Sequence, residues 1–162
     1  MARHNGSRHN AKGRSTAALA DARFREMLGP PKDQPWAWMT QEMLESRAYT
    51  GLSRAAMLCL NRLKLEHIAH AGRQNGALIV TFQQFIEYGV AKNGVANAIR
   101  ELEEAGFLQV MVRGGRSFGT INVPSQYRLT WLPDLNGNQP THEWRRQQRE
   151  FPDTLKRGHA TP

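Results

Sequence analysis

Lys92, Asn93, Asn97 and Arg100 bring four hydrogen-bonding side chains together within nine positions. They lie in the stretch "AKNGVANAIRELEEAGFLQV" (91–110). An asparagine amide can pair bidentately with adenine, and a guanidinium can do so with guanine. A lysine ammonium acts as a point charge toward phosphate. Within the same stretch Val95, Ala98, Ile99 and Leu102 fall at i, i+3, i+4, i+7 and predict a helix with one buried stripe. At about 100° per residue the opposite face is Asn93, Asn97, Arg100 and Glu104. Any amphipathic surface helix has a polar outer face, so these residues gain meaning only from the elements around them.

Those elements follow from local signals. Trp36 and Trp38 open the expected folded segment and, with Trp131, are read as core or staple residues rather than base-stacking platforms. Thr40 is an expected N-cap, with Glu42 and Glu45 favourable in the first turns. A second helix is expected from Ser53 through "AAMLCLNRLKLEHIAHA", apolar on most of its circumference, ending at Gly72. Leu78-Ile79-Val80 predicts a short strand. Thr81 and Gln84 then form a capping box, and Val80 and Phe85 a hydrophobic staple. That helix should end at Tyr88-Gly89. The helix of the opening stretch, about 92–105, should stop at Gly106. "FLQVMVR" (107–113) predicts a strand, "GGRSFGTINVP" (114–124) a long flexible loop, and "SQYRLTWL" (125–132) a return strand. Tyr127, Leu129 and Trp131 should share one side of it.

The flanks differ in composition. Residues 1–35 contain few large apolar groups before the proline-rich "GPPKDQP" (29–35), and read as a disordered basic arm plus linker. A short helix is expected at 16–28. The arm carries seven Lys/Arg against three Asp/Glu, half of the chain's net charge of +8. Arg3, Arg8, Lys12 and Arg14 could follow a minor groove, add non-specific affinity through counterion release, or only aid solubility. Residues 133–162 read as a polar tail, with a short helix capped by Thr141 and docked through Trp144 and Phe151. Arg145, Arg146 and Arg149 there are read as a solvated patch or a contact to a partner subunit.

The order helix, core helix, strand, short helix, turn, helix, hairpin resembles a winged helix-turn-helix domain over about 36–132. The resemblance rests on "TFQQFIEYGVAKNGVANAIRELEEAGFLQV" (81–110), similar to many bacterial winged-helix regulators and plasmid replication initiators. Leu102, Gly106 and Leu108 match the family's ending of the recognition helix. It implies an α+β fold that binds double-stranded DNA. Lys92, Asn93, Asn97 and Arg100 would lie in the major groove, and Arg113 and Arg116 at the wing, on backbone or minor groove. A homodimer, and a setting on a plasmid, phage or other mobile element, are further implications. One departure stands out: many relatives cap the recognition helix with Ser or Thr, whereas Ala91 holds that place here. Asn93 would then shift the start, and Gly94 would cost about 1 kcal/mol relative to alanine.

Two rival readings remain at this point. One is a replication initiator or recombination accessory factor; the other is a winged-helix protein-interaction module whose basic tails bind RNA or an acidic partner. An enzyme is not expected, because no nucleophile–base constellation stands out. His67 and His70, beside Glu66, lack a third ligand of suitable spacing, so no metal or other cofactor is expected. Cys59, between Leu58 and Leu60, reads as a small buried apolar residue and allows no intrachain disulfide. No apolar run reaches the roughly 20 residues that span a bilayer, so a cytoplasmic, nucleoid-associated location is expected, with no small-molecule ligand.

Overall fold

The computed structural model describes Gly29, residues 36–116 and residues 122–146. The arm residues Arg3, Arg8, Lys12 and Arg14, the expected helix at 16–28, Arg149 and Phe151 lie outside the described residues. The chain divides into two compact units, Met1–Trp36 and Ala37–Pro162. Of the first, only Gly29 and Trp36 are described, both exposed. The second is α+β.

Among the described residues each α-helix starts where a side chain can take up its free N–H groups, with one exception. Thr40 accepts from Met43 N and opens α1 (Gln41–Glu45). Ser46 closes α1 by donating to Met43 O and opens α2 (Arg47–Thr50) by accepting from Tyr49 N. The single helix expected after Thr40 is thus two short helices hinged on one buried serine. Ser53 caps α3 (Arg54–Ala69), which buries Ala56, Cys59, Leu60, Leu63 and His67. These positions form one stripe, narrower than the near-complete apolar circumference that the sequence suggests; Leu65 is exposed. After β1 (Leu78–Ile79), Thr81 and Gln84 form the expected capping box of α4 (Phe82–Glu87). Val80 and Phe85 are both buried, as a hydrophobic staple requires.

The exception is α5 (Val95–Glu104), whose N-cap is Gly94 with no side-chain hydrogen bond. The helix therefore begins about three residues later than expected. Its buried face is Val95, Ala98, Ile99 and Leu102, as the periodicity predicts. Gly106, at φ +78°, turns the chain into β2 (Leu108–Val112). Then β3 (Gly115–Arg116) pairs antiparallel with β4 (Asn122–Val123), so part of the expected loop 114–124 is an ordered two-stranded ladder. β5 (Gln126–Leu129) returns through the centre of a three-stranded antiparallel sheet, order β1-β5-β2. The β2–β5 register shifts between Val110 and Val112, a bulge that leaves Met111 exposed.

Tyr127, Leu129 and Trp131 are buried together, as the alternation predicts. Arg128 and Thr130, on the alternate positions, are buried as well. The segment after β5 accounts for this. Arg128 Nη2 donates to Gln139 O, and Thr130 O accepts from Thr141 N and His142 N. A single 3₁₀ turn, Glu143–Arg145, brings Trp144 to complete burial, its ring parallel to Phe107 with centroids 6.1 Å apart. His142, not Thr141, precedes this turn, in the left-handed region at φ 48°. Asn75 ties the same segment down from the other side. Its amide donates to the carbonyls of Leu129, Leu132 and Pro133 and accepts from Leu129 N. Trp131 is buried as expected and donates to Trp38 O, whereas Trp38 is over one-third exposed and Trp36 more so, so neither belongs to the core.

Candidate nucleic-acid interface

The residues singled out by type gather around α5. Gly89, at φ 102°, ends α4 with its N–H donating to Ile86 O, while Val90 N reaches Phe85 O. Val90 is buried and anchors the turn from which residues 91–94 lead into α5. Lys92 and Asn93 are exposed on this turn, ahead of the helix rather than on its face. Asn93 makes no cap. The first N–H groups of α5 consequently have no side-chain acceptor, which leaves them open to water or an anion.

Asn97 and Arg100 stand exposed on the helix itself, as the wheel predicts. They touch each other: Arg100 Nη2 donates to Asn97 Oδ1 at 2.5 Å. The acidic residues of the C-terminal half are directed differently. Glu101 Oε1 accepts from Ser53 N and Oε2 from Ser53 Oγ, binding α5 to the start of α3. Glu103 accepts from Val110 N and forms an ion pair with Arg113 at 3.0 Å. Glu101 and Glu103 are thus turned to Ser53 and to the hairpin rather than aligned with Asn97 and Arg100.

The hairpin beside α5 carries the remaining expected site residues. Arg113, at the end of β2, keeps most of its side chain in solvent despite its pairing with Glu103. Arg116 stands on β3 opposite Asn122. Exposed Met111, Val112 and Val123 flank them.

Sequence reading missed Glu101 as a clamp, since Ser53 is 48 positions away. It also missed Arg128, whose buried guanidinium meets Gln109, Gln139 O and, at 3.9 Å, Asp134. No local pattern marks either.

The other reactive groups serve structure. Cys59 is fully buried, and burial, with the Glu101 charge, pushes its thiol up to about 12. His70 pairs with Glu66 at 3.1 Å, while His67 is buried with its pKa lowered by desolvation. Among the described residues no group of three or more His, Cys, Asp or Glu could hold a metal ion, and no helix is long and apolar enough to cross a membrane. In comparisons with protein-family models, curated proteins and solved structures, the chain matches none significantly.

Proposed function

We propose that this chain is a winged helix-turn-helix protein that binds double-stranded DNA in a sequence-dependent way and acts as a small transcriptional regulator. One observation carries the reading. An exposed Asn97–Arg100 pair sits on α5, which follows α4 through a turn and leads through Gly106 directly into a β hairpin with Arg113 just past the end of its first strand. A helix about 10–12 Å across fits a major groove about 12 Å wide. Lys92 and the uncapped start of α5 would contact phosphate, Asn97 and Arg100 the base edges, and Arg113 and Arg116 the flanking backbone. The net charge of +8 adds an attraction to any polyanion that salt screens.

The test is selection of fragments of the source genome on the purified protein near physiological salt, followed by sequencing. A short shared motif supports the reading. Retention without a motif, lost as salt rises, reduces the protein to a charge-driven binder and sinks it.

A further inference from the structure

We propose that Asn97 and Arg100 act as one coupled reader of guanine, not as separate readers of adenine and guanine. This rests on the DNA-binding reading above. Bidentate recognition of adenine needs both ends of an asparagine amide: the oxygen accepts from N6 while the nitrogen donates to N7. In Asn97 one of the two lone pairs of the oxygen is already taken by a cationic donor, Arg100 Nη2, so the adenine arrangement would need the second lone pair beside a guanidinium. What the amide offers outward is its NH₂ group, a donor. Arg100 has only N–H donors, five in all, of which the bond to Asn97 engages Nη2. The pair therefore presents donors from two side chains one helical turn apart. Guanine is the base whose major-groove edge carries two acceptors, O6 and N7. The N6 amino group of adenine would face the guanidinium donors, with only the second lone pair of Asn97 Oδ1 to accept it.

The pairing also acts before DNA arrives. A free arginine loses much rotamer freedom when it docks; one held by Asn97 is partly ordered in advance. Two neighbouring carboxylates are held elsewhere, Glu101 by Ser53 and Glu103 by Arg113.

The experiment selects random duplexes with the whole protein, comparing wild type with Asn97→Ala, Arg100→Ala, the double variant and Arg100→Lys. Wild type should select a guanine at one position. Each alanine variant should lose roughly tenfold or more of that preference, at the same position. The double variant should lose little beyond Arg100→Ala. Arg100→Lys keeps the charge but not the fork, so overall affinity should persist while the guanine preference falls. Thermal melts check that these exposed substitutions leave the fold intact. An adenine lost only in Asn97→Ala, with a guanine lost only in Arg100→Ala, overturns the coupling and leaves the DNA-binding reading standing. No enriched motif with wild type overturns both.

Discussion

Glu101 accepts hydrogen bonds from both the backbone N–H and the hydroxyl of Ser53, so one carboxylate closes the start of α3 and holds α5 against it. Ser53 Oγ in turn accepts from Ala56 N, which places the carboxylate charge at the positive end of a 16-residue helix. Glu101→Gln keeps the shape and removes the charge. Because the contact is open to solvent, the expected loss is about 1 kcal/mol rather than the upper end for charged hydrogen bonds. Urea unfolding checks this, and a cycle with Ser53→Ala should show coupling. Additive losses would mean that the two residues act separately.

Trp144 is expected to matter far more than a residue of a solvated tail. It is fully buried against Phe107, which also meets Trp131 and Tyr49 edge to face. Trp144→Ala should cost about 3–5 kcal/mol. Truncation after residue 138 should be at least as harmful, because it also uncovers Arg128 and Thr130. A truncated protein that melted like the full chain would refute the packing role of this segment.

Gly106 tests the same contact from below. Its φ is +78°, and an added Cβ would lie 2.5 Å from the Glu143 carbonyl carbon and the Trp144 nitrogen. Gly106→Ala meets both a disfavoured backbone region and a backbone clash that no side-chain rotation relieves. A loss above about 1 kcal/mol is expected. Fluorescence of Trp144 should report its displacement.

Much of this fold was legible in the sequence because it is locally determined. Thr40, Ser53 and Thr81 cap where their side chains can reach an N–H three residues on, and the stripe Val95, Ala98, Ile99, Leu102 is a property of one helix. What escaped depends on distant partners. Asn75 reads as part of a polar turn, yet it binds carbonyls 54 to 58 positions away. The β3–β4 ladder comes from Gly115 facing Val123, in a stretch without strand alternation. For the candidate site, the exposed face of α5 was legible through Asn97 and Arg100. Its start was not, because a glycine N-cap leaves no side-chain signal.

Acid should weaken the fold before it protonates ordinary carboxylates. Burial lowers the pKa of His67; burial, then the Arg145 charge, lowers that of His142, with Glu42 opposing. Both native values lie below the usual histidine value near 6.5, so the unfolded chain takes up protons first as pH falls. Their stabilising contribution is full above about pH 7 and is lost from about 6.5 downward. The melting temperature should be flat between about pH 7 and 8 and decline below about 6.5. His67→Gln and His142→Gln should each flatten the decline; an unchanged slope in both would exclude these imidazoles as its cause.

For DNA, the Glu103–Arg113 ion pair sets an expectation opposite to that for Lys92. Glu103→Gln removes a negative charge beside the hairpin and releases Arg113, so DNA binding should tighten. Lys92→Ala should weaken all sequences alike and shallow the salt dependence by about one unit. Binding isotherms across a salt series read both. Weaker binding by Glu103→Gln would show that the ion pair is needed to aim Arg113.

β5 lies at the centre of the sheet although it follows both of its neighbours in the chain, and Trp144 comes later still. The order of synthesis and the order of assembly are therefore opposed. At about 5–20 residues per second, the 93 positions from Trp38 to its hydrogen-bonding partner Trp131 take several seconds to translate. During that interval α3, α4 and α5 have emerged with their apolar stripes facing an unfilled centre. The nascent chain is thus expected to expose this apolar surface, the kind that chaperones bind, until Trp144 has left the ribosome.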